Sequence, residues 1–334
     1  MSSINHFVRW YIILLLSAGL ASGACAPKTP QRPLSETRLL LDTVCTVAIY
    51  DPAADKDLPG EALDLCAEYE RLLSRTIEGS DIWRINHAGG QPVTVDTRTA
   101  AVIQAGLEYG AFSGGLFDIT IGQVSALWDF SGNPAVPSPA QLSAAQETVD
   151  YRRVTVTGNT VQLAHAGAWL DLGGIAKGYI ADQLAAFLKE RGVNAAVIDL
   201  GGNIVTVGAK PDGKPWRIGI EQPFSGRREV IGALNTGEAS IVTSGIYERQ
   251  FEENGVLYHH ILDPASGLPS RSDVISATVV SQSSTVGDAL TTIIILTGSE
   301  KAPALLEQAP GLMGALLMLE NGELLQYGEV DFQR

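Results

Sequence analysis

In STVGDALTT (284–292), Asp288 and Thr292 stand four residues apart, so on a helix their carboxylate and hydroxyl share one face. Two hard oxygen donors at that spacing suit Mg2+, with phosphate and water completing the shell. The same stretch has a plainer reading, because Thr285 and Asp288 form a T-x-x-D capping box. Lys177 poses a similar choice. In DLGGIAKGY (171–179) it falls in the first turn of an expected helix, after the Gly173–Gly174 pair. Free N–H groups and an ammonium there suit a pyrophosphate, although a solvent-facing helical lysine is the commoner case. HHILDPASG (259–267) is the third such stretch. A turn needs its Asp263, Pro264 and Gly267 but not its His259 or His260, and the chain holds only five histidines. FDITIG (117–122) adds Asp118 beside a β-branched run.

Other chemistry is excluded by pattern. GGIAKG lacks the spacing of a P-loop and of GxGxxG, and neither HExxH nor GxSxG occurs. LDLGG (170–174) is echoed by IDLGG (198–202), each an apolar run ending in a glycine pair where backbone can approach a ligand. Two ordinary strand exits would look the same.

These residues need elements to hold them. RLLLDTVCTVAIY (38–50) predicts a strand, and 61–75 a helix with Leu65, Tyr69 and Leu72 at helical spacing. Further helices are expected at 99–112, after the Ser-Pro at 138–139, over 174–190, and finally from about Thr285. Strands are expected at 151–157 and 160–163, and the chain from about 195 is strand-like: AAVIDL, NIVTVG, WRIGI, EVIGAL, SIVTS, YHHIL and ISATVV. Helices and many strands without regular βαβ alternation predict an α+β fold around antiparallel or mixed sheet. At 334 residues and 45% apolar, the chain can bury a sizeable core. Its formal charge of −14 and lack of a basic cluster exclude nucleic acid as a partner.

The amino terminus reads differently. YIILLLSAGLASGA (11–24) is too short for a membrane span and fits an export signal, residues 1–24. Cys25 follows directly, so the expectation is lipidation there, a polar tether over 25–35, and one domain from 36 to 334. Ser22, where lipoprotein signals usually carry Leu, leaves plain signal cleavage open. Cys45 and Cys66 form no metal pattern; a bridge and two free buried thiols are both compatible with their positions.

Taken in order, FDITIG with Trp128, DLGGIAKGYIAD, IDLGGNI, WRIGIEQP, TSGIYERQF, HHILDPASGLP and the DALTT helix resemble the ApbE family. These are the FAD:protein FMN transferases, once described as thiamine-biosynthesis lipoproteins, and the resemblance covers about residues 36 to 325. It implies a T-fold-related architecture. It also implies Mg2+-dependent attack of a protein Thr or Ser hydroxyl on FAD, which attaches FMN through its phosphate and releases AMP. Asp288 and Thr292 are then side-chain Mg2+ ligands, with Thr291 adjacent and backbone near Gly174 completing the site. Leu41, Thr76, Leu116, Phe117, Asp118, Asp171, Lys177 and Leu262 fall at the nucleotide, with Lys177 nearest the phosphates. His260 matches the histidine of the family's H-x-x-D-P motif, and His259 has no such role. Asp288, His260 and Lys177 are the expected catalytic set.

Two departures concern flavin contacts. Leu41-Asp42-Thr43 stands where the family commonly has Met-Gly-Thr, and Ser74-Arg75-Thr76 where many members have Ser-Thr-Tyr. Two other activities use much of the same chemistry: splitting FAD to FMN and AMP with water, and storing flavin on the surface without reaction. Retention of Asp288 and Thr292 disfavours the second, since binding alone does not need a metal pair.

The expected location is outside the cytoplasm, held to the membrane by lipid. A Cys25→Ala protein should lose membrane association while its folded domain keeps full activity. Equal detergent partitioning of mutant and parent would exclude the anchor.

Overall fold

In the strand Thr43–Ile49 every second residue, Cys45, Val47 and Ile49, is buried. The strand Ala195–Leu200 repeats the pattern with Ala196, Ile198 and Leu200. This alternation follows from the two-residue period of a strand, which sends neighbours to opposite faces. A computed structural model describes residues 32–130, 132–226 and 229–334. Cys25, the expected signal and most of the expected tether lie outside the described residues. The strand Leu34–Leu40 begins an eight-stranded sheet, continued by Thr43–Ile49, Ala195–Leu200, Asn203–Gly208 and Ala239–Gly245. Val274–Ser281, Leu312–Leu319 and Leu324–Gly328 complete it, and all its pairs are antiparallel.

One face of this sheet meets helices and the other a smaller sheet. On the helical side lie Val205, Val207, Ala277, Val279, Ala315 and Leu317. The opposite face sends Ile204, Ile241, Val280 and Leu316 towards Trp216, Ile218, Ile220 and Leu234 of a three-stranded sheet. The expected α+β class with antiparallel sheet holds.

Two helices matter most to the site. Ala176–Glu190 buries Ile180, Ala181, Leu184 and Leu188, the stripe its sequence period predicts. Ser284–Thr297 buries Ala289, Leu290, Ile293, Ile294 and Ile295, so it runs through the core rather than across a surface. Each fully buried Leu or Ile contributes about 1.5–3 kcal/mol relative to exposure. That anchorage fixes the beginnings of both helices. Gly178 lets them meet: a Cβ there would collide with the Ser284 carbonyl and lie 2.7 Å from Asp288 Cβ.

Several boundaries differ from the sequence expectation. The run 38–50 is a hairpin, not one strand: Leu34–Leu40 and Thr43–Ile49 join through Leu41 and Asp42, both at positive φ (55° and 56°). Non-glycine residues rarely adopt this conformation, which is why the turn escapes a reading based on Gly and Asn. The Leu41 N–H donates to Glu70 Oε1 at 2.7 Å. The expected strand 151–157 begins as a 3-10 turn, Tyr151–Arg153, before Val154–Thr157. A short helix, Ala302–Leu306, follows the one expected to be last.

The capping box Thr285–Asp288 does not form. Instead Asp182, from the neighbouring Ala176–Glu190 helix, takes the exposed donors of the Ser284–Thr297 helix. It accepts from Ser284 N (2.7 Å), Thr285 N (2.9 Å), Thr285 Oγ1 (2.7 Å) and Ser283 Oγ (2.6 Å). A tertiary carboxylate thus does what local sequence was expected to do. Replacing Asp182 with Ala should destabilise the protein by roughly 2 kcal/mol, more than an ordinary cap, because several donors lose their acceptor together. Urea unfolding measures this; a loss below about 0.5 kcal/mol would show that water replaces the carboxylate.

Candidate active site

The absence of a local cap releases Asp288 for another use. Its Oδ2 accepts the Gly178 N–H at 2.8 Å, and the side chain is buried. Burial pushes the carboxyl above its ordinary range, while the Lys177 charge, the Gly178 N–H and the Asn203 amide oppose that shift. Lys177 also acts on His260. The three expected catalytic residues are therefore brought into one electrostatic neighbourhood.

His260 is held neutral. Burial first, then the charges of Arg249, His259 and Lys177, lower its pKa to about 3, against a weaker opposing contact with the Arg249 carbonyl. Its Nδ1 faces that carbonyl at 3.4 Å, so the proton belongs on Nδ1 and Nε2 keeps a lone pair. His259 does something else. Buried, and pushed down to about 4 by that burial, it donates from Nε2 to Ser270 O (3.0 Å). Its Nδ1 accepts the Ile261 N–H at 3.3 Å. This histidine fastens the segment and has no free nitrogen for a ligand.

The remainder of HHILDPASG is a turn for the expected reasons. Asp263 accepts from Ala265 N (3.0 Å) and Ser266 Oγ (2.8 Å), and Trp128 Nε1 donates to Gly267 O at 3.0 Å. Leu262 is buried with Val124, Trp128 and Leu142 beneath the turn. The stretch is a turn packed from below through Trp128 and its own Leu262.

The expected metal residues separate into two groups. A Cβ on Gly174 would lie 3.6 Å from Thr292 Oγ1, so that glycine and that hydroxyl face each other across a gap a side chain would fill. Thr292 is one turn after Asp288 on the same face. Thr291 points elsewhere: its hydroxyl contacts Ser244 Oγ (2.8 Å) and donates to Asp288 O (2.9 Å). Among the described residues no group of three or more His, Cys, Asp or Glu side chains could hold a metal ion. A site built here uses one carboxylate, one hydroxyl and backbone carbonyls, a hard-oxygen set suited to Mg2+ with water and phosphate. One further atom bears on that reading. Asn203 is buried beside this carboxylate and its amide acts on it, although its Nδ2 makes no hydrogen bond of ordinary geometry.

The residues expected at the nucleotide have varied surroundings. Phe117 is buried against Gly174, and Leu116 beside it is half-buried. Asp118 is committed to structure: it accepts from Thr120 N (2.8 Å), Thr120 Oγ1 (2.6 Å) and Tyr151 N (2.9 Å). Asp171 shapes the glycine turn by accepting from Gly173 N at 2.9 Å and Ser125 Oγ at 2.6 Å. It also pairs with Arg75 at 3.2 Å, which draws the Ser74–Thr76 loop to this turn. In that loop the Thr76 N–H donates to Ser74 Oγ at 3.2 Å. Leu41 sits in the first hairpin turn, whose Thr43 packs against Gly201.

The two glycine pairs prove different. Gly201 and Gly202 have φ of 68° and 95° and join two sheet strands. Gly173 and Gly174 do not need positive φ; Gly174 serves by lacking a side chain against Phe117. A cavity of about 210 Å³ beside Gly202 is lined by Ile204 and Ile241, so it lies across the main sheet from Asp288.

Sequence reading missed Asp182, Asn203 and Arg75 as contributors. The Asn that ends IDLGGN was the available sign, a polar residue opening an apolar strand.

Comparison with known proteins identifies the family. The chain is 34% identical to the FAD:protein FMN transferase of Treponema pallidum, covering 97% of this chain and 95% of that protein. It is 36% identical to one from Klebsiella pneumoniae, covering 88% and 92% respectively. The ApbE protein of Thermotoga maritima superposes with a TM-score of 0.81 at 29% identity, over 89% of this chain and 97% of that one. Flavin transferase ApbE of Vibrio cholerae gives 0.78 at 28% identity, with the same coverage. The ApbE family model matches residues 41–317, the span that holds the paired helix starts and the His260 turn, and the chain belongs to the ApbE family.

Proposed function

We propose that this protein transfers FMN from FAD to a Thr or Ser hydroxyl of an acceptor flavoprotein, with release of AMP and with Mg2+ at Asp288, Thr292 and the Gly174 backbone. Family membership supports the flavin transfer. The observation that carries the metal part is a buried Asp288 carboxylate, held at Oδ2 by the Gly178 N–H, one helical turn from a Thr292 hydroxyl that faces Gly174. Magnesium bound there would stabilise charge on the phosphoryl oxygens and on the departing AMP.

The chain's own groups then have distinct tasks. Lys177, in the first turn of its helix, holds the pyrophosphate and opposes the upward push of burial on the Asp288 carboxyl. The Nε2 lone pair of His260 is available for the proton of the incoming hydroxyl. Phosphate charge nearby would raise the basicity of that imidazole above its value in the free protein. Phe117 and the Arg75–Asp171 pair shape the rim that receives the nucleotide. The flavin serves as the transferred group, so its redox state need not change.

The amino-terminal sequence supports an exported, lipid-tethered enzyme acting on proteins outside the cytoplasm. No helix among the described residues is long and apolar enough to cross a membrane.

The direct test incubates the soluble domain with FAD, Mg2+ and a threonine-bearing flavoprotein domain, then weighs the acceptor. A gain of one FMN mass is the expected outcome; free FMN and AMP with an unchanged acceptor would instead indicate hydrolysis. Asp288→Asn retains shape and an acceptor for Gly178 while removing the charge. Stability should hold, since a buried carboxylate is costly to desolvate, whereas transfer should fall by orders of magnitude. Near-parental turnover of the folded mutant would remove Asp288 from the metal site.

Lys177→Met separates two binding modes. Both side chains favour helix, so folding should change little. FAD affinity should weaken clearly, and transfer at least as much, because phosphoryl charge is redistributed during attack. Riboflavin, which has no phosphate, should bind as before. Equal FAD affinity of mutant and parent in equilibrium titration would return Lys177 to the solvent.

A further inference from the structure

Asn203 opens the strand Asn203–Gly208 directly after the Gly201–Gly202 turn and is almost wholly buried, at 1% exposure. Its Oδ1 accepts from Ser284 Oγ at 3.4 Å. Ser284 lies one helical turn before Asp288, on the same face, and both residues press against Gly178. The amide therefore lies over the turn that carries Asp288; its Nδ2 makes no hydrogen bond of ordinary geometry, yet the amide already acts on the Asp288 carboxyl and so stands close to it. A buried donor without a well-formed bond is a rare and costly feature, and it needs a reason.

We propose that Asn203 is a positioning residue for Asp288: in the loaded site its Nδ2 donates to the carboxylate and fixes how that group faces the cation. The inference rests on the metal reading of Asp288 given above. Gly178 N already holds Oδ2, and one hydrogen bond leaves the carboxylate free to rotate. A second donor from the opposite side, the sheet, removes that freedom. The ligand would then be gripped between the helix Ala176–Glu190 and the strand Asn203–Gly208, with the remaining lone pairs directed at the metal. Oxygen ligands to metals are commonly held by such outer hydrogen bonds, and their loss weakens metal affinity. The Gly201–Gly202 turn fits this arrangement, because positive φ at both glycines brings the chain back at once and delivers Asn203 to the helix side of the sheet. Neighbouring Val205 and Val207 project the same way into the main core.

The two possible roles predict opposite patterns. If Asn203 only fills space, Asn203→Leu removes a poorly bonded donor from an apolar core, so stability should hold or rise and metal binding should stay as it was. If it positions Asp288, stability should still hold or rise, yet affinity for the cation should fall by about 10- to 100-fold. The measurement is Mn2+ titration of the soluble domain with FAD present, followed by electron paramagnetic resonance, beside thermal unfolding of the same samples. Asn203→Ala, which leaves room for water, provides a second variant and should show a smaller loss in the same direction. Asp288→Asn controls for the underlying reading. Parental Mn2+ affinity in Asp288→Asn would overturn the metal site itself. Loss of affinity in Asp288→Asn with parental affinity in a folded Asn203→Leu or Asn203→Ala protein would overturn the role of Asn203 alone. Loss in both, with Asn203→Leu at least as stable as the parent, is the result expected.

Discussion

The hydrogen bond from Gly178 N to Asp288 Oδ2 joins the beginnings of two helices, and the rest of the site is arranged around that junction. It requires glycine, since any side chain at 178 would strike the Ser284 carbonyl and the Asp288 Cβ. It also requires that both helices be immovable. Their buried stripes, Ile180 to Leu188 and Ala289 to Ile295, pack into one core over the antiparallel sheet. A carboxylate placed on a mobile loop could lower its own cost by turning to water. Here the helix that carries it is packed into the core, so the carboxyl stays buried; burial raises its pKa and the Lys177 charge opposes that rise.

Asp182 and Asp288 divide work that a shorter-range design would give to one residue. Asp182 satisfies the first donors of the Ser284–Thr297 helix, so Asp288 need not cap. Asp182 nevertheless adds negative charge near Asp288 and pushes its carboxyl further up. The junction thus concentrates two carboxylates against one nearby lysine. This is unfavourable in isolation and favourable for a divalent cation, whose charge would reverse the balance.

Much of this was legible in the sequence, for reasons that are local. Helical spacing located the Ala176–Glu190 helix to within about two residues, and strand periodicity identified the pieces from 195 onward. Lys177, Asp288, Thr292 and His260 were visible because residue type and motif order are printed in the chain. What was not legible is tertiary. The T-x-x-D pattern at 285–288 is a sound capping signal, but a carboxylate more than a hundred residues earlier outcompeted it. The Leu41–Asp42 turn lacks the glycine or asparagine that usually announces positive φ. Asp118 and Thr291 share the motifs of functional neighbours while their polar groups are consumed by Thr120, Tyr151 and Ser244. Motif position alone cannot separate a residue that faces a ligand from one that holds its neighbour still.

That distinction matters for the two histidines. They are adjacent in sequence, both buried enough to be held neutral, and yet opposite in use. His259 has both ring nitrogens bonded to backbone, which ties the strand Val256–His259 to Ser270 and sets the direction in which the next residue points. His260 gives only Nδ1 to the Arg249 carbonyl and keeps Nε2. His260 follows directly on the strand Val256–His259, so the anchoring of His259 limits where the next side chain can point. The pair is therefore a single device. An anchor in the core gives its neighbour a fixed bearing, and the neutral state that burial favours in both leaves a lone pair on His260 Nε2.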